Sequence, residues 1–137
     1  MATRDTYIKT LLAITTLAVL LVAIPAMAAN VNSTQGNTIA KNVSIGIIAQ
    51  NLKFNTSTIT VPASAKVTVK FNNMDSGVVH NVAFYTNSTA KTSIFVGAPI
   101  KGPKTTTYTF TAPSKTGTYF FRCDTHPTTM TGKFIVK

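Results

Sequence analysis

The sequence predicts an all-β domain, a Greek-key sandwich of about seven to eight short strands preceded by an N-terminal hydrophobic segment. Two observations carry that prediction. Beyond residue 41 the chain is rich in Val, Ile, Thr, Phe and Tyr, set in short alternating runs punctuated by Pro, Gly and Asn. The same stretch has almost no helical periodicity. A length of 137 residues leaves room for one domain, and no internal repeat divides it.

Residues 1–28 are a targeting segment. Arg4 and Lys9 precede an apolar run over residues 11–29, interrupted only by Thr15, Thr16 and Pro25. Ala26-Met27-Ala28 is a small-x-small cleavage signature, so the segment reads as a signal peptide cut after Ala28. The run is also close to the roughly 20 apolar residues that span a bilayer, which makes an uncleaved signal anchor, a membrane tether through residues 11–29, the alternative. With the positive residues before the run, both readings export the rest of the chain. The expected location is therefore extracytoplasmic: periplasmic, pseudoperiplasmic or at the cell surface.

Residues 29–41 are polar and aperiodic, a flexible leader, and residues 42–137 form the domain. Val43, Ile45 and Ile47 alternate, and Leu52 and Phe54 continue or turn. Residues 58–61 make a short strand ending at Pro62, and Val67, Val69 and Phe71 alternate cleanly. Residues 78–85 are a nearly continuous apolar run containing His80 and Asn81. Residues 86–104, with Asn, Ser, Gly and two prolines, predict an excursion near a sheet edge. Three further strands cover residues 105–111, 117–123 and 133–136. Antiparallel pairing is expected throughout.

Thirteen Lys and Arg against three acidic residues give a formal charge of +10. Arg4, Lys9 and Asp5 belong to the targeting segment, so the exported part carries about nine positive charges in excess and only Asp75 and Asp124 as acids. Its lysines are scattered singly, with no basic run, which argues against nucleic acid and for acidic protein partners met transiently. The single cysteine precludes an intrachain disulfide. Sequons begin at Asn32, Asn42, Asn55 and Asn87, in keeping with an exported chain.

The chemistry concentrates in Cys123-Asp124-Thr125-His126-Pro127-Thr128-Thr129-Met130, which holds the only cysteine, one of two histidines and one of four methionines. With His80, these residues offer one thiolate, two imidazoles and a thioether, a soft donor set suited to one copper ion in a type 1 (blue) site. Zinc rarely uses a thioether, and its structural sites usually need more thiolates. A binuclear copper centre would need a second bridging cysteine. A Cys-His catalytic pair lacks a plausible third member and oxyanion donors. A metal-free reading makes Cys123 a small core hydrophobe.

Two motifs, Val79-His80-Asn81-Val82 and Tyr119-Phe120-Phe121-Arg122-Cys123-Asp124-Thr125-His126-Pro127-Thr128-Thr129-Met130-Thr131-Gly132-Lys133, resemble those of the small blue copper proteins of the cupredoxin fold, the plastocyanin, amicyanin, pseudoazurin and halocyanin group. The resemblance spans residues 43–137. It implies a cupredoxin-like copper-binding domain with His80, Cys123 and His126 as strong equatorial ligands and Met130 as the weak axial one. It also implies that Asn81 ties the His80 strand to the Cys123 loop by hydrogen bonds, and that His126 with Pro127 forms the electron port. Two residues separate Cys123 from His126 and three separate His126 from Met130. Amicyanin-like relatives have a shorter second gap and plastocyanin-like ones a longer one, so the chain falls into neither group. Met74 reads as loop packing, and Phe84, Tyr119 and Phe121 as core aromatics.

The function expected is a monomeric, exported carrier that shuttles single electrons between redox partners. It is not expected to be an enzyme, because two Asp and two His offer no evident general acid–base pair. The alternative is an extracytoplasmic protein that binds and delivers copper without passing electrons. The carrier reading expects Met130→Leu to keep copper and raise the reduction potential.

Overall fold

The computed structural model describes residues 41–137; the expected targeting segment, residues 1–28, and all but the last residue of the expected polar leader lie outside the described residues. Eleven strands follow: β1 (Asn42–Gln50), β2 (Lys53–Phe54), β3 (Thr58–Val61), β4 (Lys66–Asn73), β5 (Val79–His80), β6 (Ala83–Tyr85), β7 (Ser93–Val96), β8 (Ile100–Lys101), β9 (Lys104–Thr111), β10 (Gly117–Arg122) and β11 (Thr131–Val136). They form a four-stranded sheet ordered β2-β1-β4-β9, a five-stranded sheet ordered β3-β11-β10-β6-β7, and a two-stranded β5-β8 ribbon. Among the described residues there is no helix. The all-β expectation holds.

Alternation along each strand builds the core. On β4, Val67, Val69 and Phe71 are buried while Lys66 and Lys70 face solvent. On β9, Tyr108 and Phe110 turn inward while Thr105, Thr107, Thr109 and Thr111 stay exposed. The other sheet contributes Ile59 and Val61, Phe121, and Phe134 with Val136. Phe84 is the centre of this packing, with ring centroids 4.7 Å from Phe110, 4.9 Å from Phe134 and 5.9 Å from Phe121. Burying one such ring contributes about 1.5–3 kcal/mol, and each well-placed ring pair adds about 0.5–1.5 kcal/mol. Tyr119 is half-buried and packs on the rim of the same core.

The structure departs from the sequence reading in strand number, eleven against the seven to eight expected because β2, β5 and β8 are two-residue segments, and in two further ways. The sheets are mixed: β1 pairs with β4, and β11 with β3, in parallel. Residues 55–57 carry the chain from β2 in one sheet to β3 in the other, so β3 arrives beside β11 running in the same direction. Side-chain alternation encodes which face is buried and is silent on direction. The last departure concerns residues 78–85, which are two strands rather than one. β5 pairs with β8 and β6 with β10, and the chain leaves the ladder at Asn81 and Val82, both buried. The excursion over residues 86–104 does run along a sheet edge, where β7 is the outermost strand.

A buried asparagine fixes the ribbon. Asn73, fully buried at the end of β4, donates through Nδ2 to the carbonyls of Val78 and Ile100, each at 2.9 Å, on either side of the β5-β8 pair. This holds β5, and with it His80, against the end of the sandwich.

Candidate metal centre

The loop between β10 and β11 folds back on itself by backbone hydrogen bonds. Cys123 N donates to Met130 O at 2.9 Å, closing the loop at its base. Within it, His126 N donates to Cys123 O at 3.3 Å and Met130 N to His126 O at 3.1 Å. One tight loop therefore carries three donor side chains close together. Cys123 is fully buried, Met130 is 1% exposed, and His126 is half-buried. His80 reaches the same place from β5 and is also fully buried.

His80 Nδ1, Cys123 Sγ and His126 Nδ1 form a triangle. Its edges are 3.6 Å (Sγ to His80), 3.8 Å (Sγ to His126) and 3.1 Å between the two nitrogens. The far side of the His80 ring faces a carboxylate, with Nε2 2.9 Å from Asp75 Oδ2. Asp75 also accepts backbone bonds from Asn51 at 2.6 Å and Leu52 at 3.0 Å. The Leu52 amide above all holds its carboxyl below the usual carboxylate range, against the opposing effect of burial.

Asn81 joins the two halves of the site. Its Oδ1 accepts the Asp124 amide at 2.7 Å, and its Nδ2 donates to Gly97 O at 3.1 Å and Asp124 Oδ2 at 3.2 Å. Its own amide points at Cys123 Sγ, 3.5 Å away. Asp124 further accepts from the Tyr85 hydroxyl at 2.7 Å and Arg122 Nε at 2.8 Å. Burial would raise its pKa, but the bonds from Tyr85, Arg122 and Asn81 outweigh that and hold it low. Thr125 closes the remaining side: its hydroxyl donates to Val79 O at 2.8 Å and lies 2.9 Å from Cys123 Sγ.

This donor set fits a single soft or borderline metal ion. Nitrogen and thiolate donors about 2.0–2.3 Å from a common centre stand between 3 and 4 Å from one another, as these three do. No other triad of His, Cys, Asp or Glu side chains converges in this way among the described residues. The thioether distinguishes the set from ordinary zinc sites and suits copper.

The structure thus brings His80, Cys123 and His126 together, sets buried Met130 in the same loop, bonded through its backbone to Cys123 and His126, and places Asn81 between the His80 segment and the Cys123 loop. Pro127 is exposed beside His126. Met74 is 45% exposed rather than packed, while Phe84 and Phe121 are fully buried, as expected of core aromatics. Sequence reasoning missed Asp75, Thr125, and the Tyr85–Arg122–Asp124 cluster. Scarcity was the available signal for the two acids: only Asp75 and Asp124 occur in the domain, and both are engaged here.

Solved structures share this architecture. Auracyanin A, a "blue" copper protein from the green thermophilic photosynthetic bacterium Chloroflexus aurantiacus, is 27% identical, with a TM-score of 0.62 over 70% of this chain and 99% of that one. Auracyanin from the photosynthetic bacterium Roseiflexus castenholzii, at 23% identity, has the same fold, with a TM-score of 0.60 over 71% of this chain and 97% of that one. A reduced Cu(I) amicyanin variant is 26% identical, with a TM-score of 0.51 over 69% and 82% of the two chains. No curated protein sequence matches the chain. The Cupredoxin-like domain pattern matches residues 14–136, and the chain belongs to that family.

Proposed function

We propose that this protein is an exported type 1 copper protein that carries single electrons between redox partners. The observation that carries the reading is the triangle of His80 Nδ1, Cys123 Sγ and His126 Nδ1, with edges of 3.1–3.8 Å, closed by a loop that also holds buried Met130. In this reading His80, Cys123 and His126 would be the strong ligands and Met130 a weak fourth one. Copper bound there would supply a one-electron Cu(I)/Cu(II) couple.

The chain's own residues do the rest. The loop bonds and the Asn81 bridge hold the donors in one arrangement, so little need move when one electron arrives from a reduced partner or leaves for an oxidised one. His126 is the half-buried member of the set, and its ring beside exposed Pro127 is the port. Leu52, Met74 and Val79 are three of the four large hydrophobic residues exposed among the described residues. Each adjoins the site: Leu52 N bonds to Asp75, Met74 precedes it, and Val79 O receives the Thr125 hydroxyl. Exposed apolar side chains on segments bonded to the site suit weak, transient redox docking. Both side-chain carboxylates among the described residues are turned to internal partners, which leaves a lysine-rich surface for acidic partners. Arg4 and Lys9 before the apolar run of residues 11–29 support export, with cleavage after Ala28 or anchoring through the run.

The test separates carriage from delivery. The copper-loaded domain is challenged with a Cu(I) chelator and, in parallel, assayed for electron self-exchange by NMR line broadening. Retained copper with fast exchange supports the carrier. Copper surrendered to the chelator, with no reversible redox couple, overturns it in favour of copper delivery.

A further inference from the structure

We propose that Asp75 is a positioning residue for the metal centre, orienting His80 and tying it to the β1–β2 turn; the inference rests on the copper reading. A carboxylate in the ionised state only accepts hydrogen bonds. With Asp75 Oδ2 2.9 Å from His80 Nε2, the ring proton sits on Nε2, and the Nδ1 lone pair is left facing Cys123 and His126.

Asp75 is itself held on every side. Its amide donates to Asn73 Oδ1 at 3.0 Å, and its two oxygens accept the successive amides of Asn51 and Leu52. Gly102 packs against the same segment, where a Cβ would meet Asn73 Oδ1 at 2.7 Å. Asn51 and Leu52 form the two-residue turn between Gln50 and Lys53, with φ of 54° and 57°. That turn favours glycine at its second position, and a leucine there needs external support. The Asp75 carboxylate supplies it by capping both amides. The buried ligand, the carboxylate and the turn under exposed Leu52 are therefore one rigid unit.

The arrangement also places a full negative charge one imidazole away from the donor triangle. That charge makes His80 a more basic ligand and favours the more positive, oxidised ion. Removing it should raise the reduction potential.

Two variants and three readouts test this. In the metal-free domain, in mildly alkaline buffer, ¹⁵N-correlated NMR of the imidazoles is expected to show His80 with its proton on Nε2 alone. Asp75→Ala is expected to mix the two tautomers, to weaken Cu(II) binding by about 10- to 100-fold, and to raise the potential. Asp75→Asn keeps the side-chain shape, so it carries the test should the alanine variant fail to fold; its potential should also rise. An unchanged tautomer and unchanged potential in a folded variant would overturn the proposal. If the wild-type domain bound no copper, the copper reading would fall, and the tautomer would decide the role of Asp75 by itself.

Discussion

Replacing Asn81 with alanine should be among the most damaging polar substitutions in the domain. The side chain is 2% exposed and makes three hydrogen bonds: from the Asp124 amide, to Gly97 O, and to Asp124 Oδ2. Alanine leaves the Gly97 carbonyl buried without this donor and the Asp124 amide without its acceptor, each worth about 1–3 kcal/mol. The third bond is charge-assisted, but Asp124 keeps Tyr85 and Arg122, which softens its loss. Together these give about 3–5 kcal/mol of destabilisation. For a domain of this size that corresponds to a fall in Tm on the order of 20 °C. Urea denaturation of the metal-free domain measures it directly, provided the m-value is unchanged. Asn81→Asp is the companion variant. It keeps an acceptor for the Asp124 amide but sets a second carboxylate against the first, so it should destabilise at least as much as alanine at neutral pH. A loss below about 1 kcal/mol for Asn81→Ala would refute the bridging role assigned to this residue.

Three other outcomes are expected. A Cβ at Gly132 would run into the Phe121 ring and the Ser57 carbonyl, so Gly132→Ala should lower stability by about 1–3 kcal/mol in calorimetry. Burial, and then the nearby Cys123, push the Tyr108 pKa from 10.0 up to about 12. Because the folded value is the higher one, the stabilisation is fully present below pH 10.0 and is lost as pH rises through about 12, so the stability gap between wild type and Tyr108→Phe should narrow over that window. Free copper at about 100 times its Kd should stabilise the domain by about 2.7 kcal/mol, a rise in Tm on the order of 10–20 °C, and Cys123→Ser should abolish the shift.

The parts of this molecule legible in its sequence are those written in local pattern or in rare residues. Period-two burial marks β4 and β9 because each strand has one wet face, and the ligand types stand out because the chain has one cysteine and two histidines. What was hidden depends on pairing across long stretches of chain. The parallel neighbours of β1 and β11 are set by a crossover at residues 55–57, which alternation does not encode. The break at Asn81 looks like continuous strand because Val82, Ala83 and Phe84 are all apolar; only the Cys123 loop, brought alongside by β10, draws Asn81 out of the ladder. Asp75 sits in a turn-like Asn-Asn-Met-Asp-Ser-Gly stretch and reads as an ordinary loop acid until His80 and the β1–β2 turn are placed on either side of it.

The central claim is that Cys123 sulfur, two imidazoles and Met130 hold one copper ion as a type 1 site. Visible absorption and EPR of the Cu(II)-loaded protein, beside Cys123→Ser, test it most directly. The account predicts an intense thiolate-to-copper band with narrow parallel hyperfine splitting in the wild type, and neither feature in the variant. A pale wild-type spectrum with ordinary hyperfine splitting, or one that Cys123→Ser leaves unaltered, would contradict it.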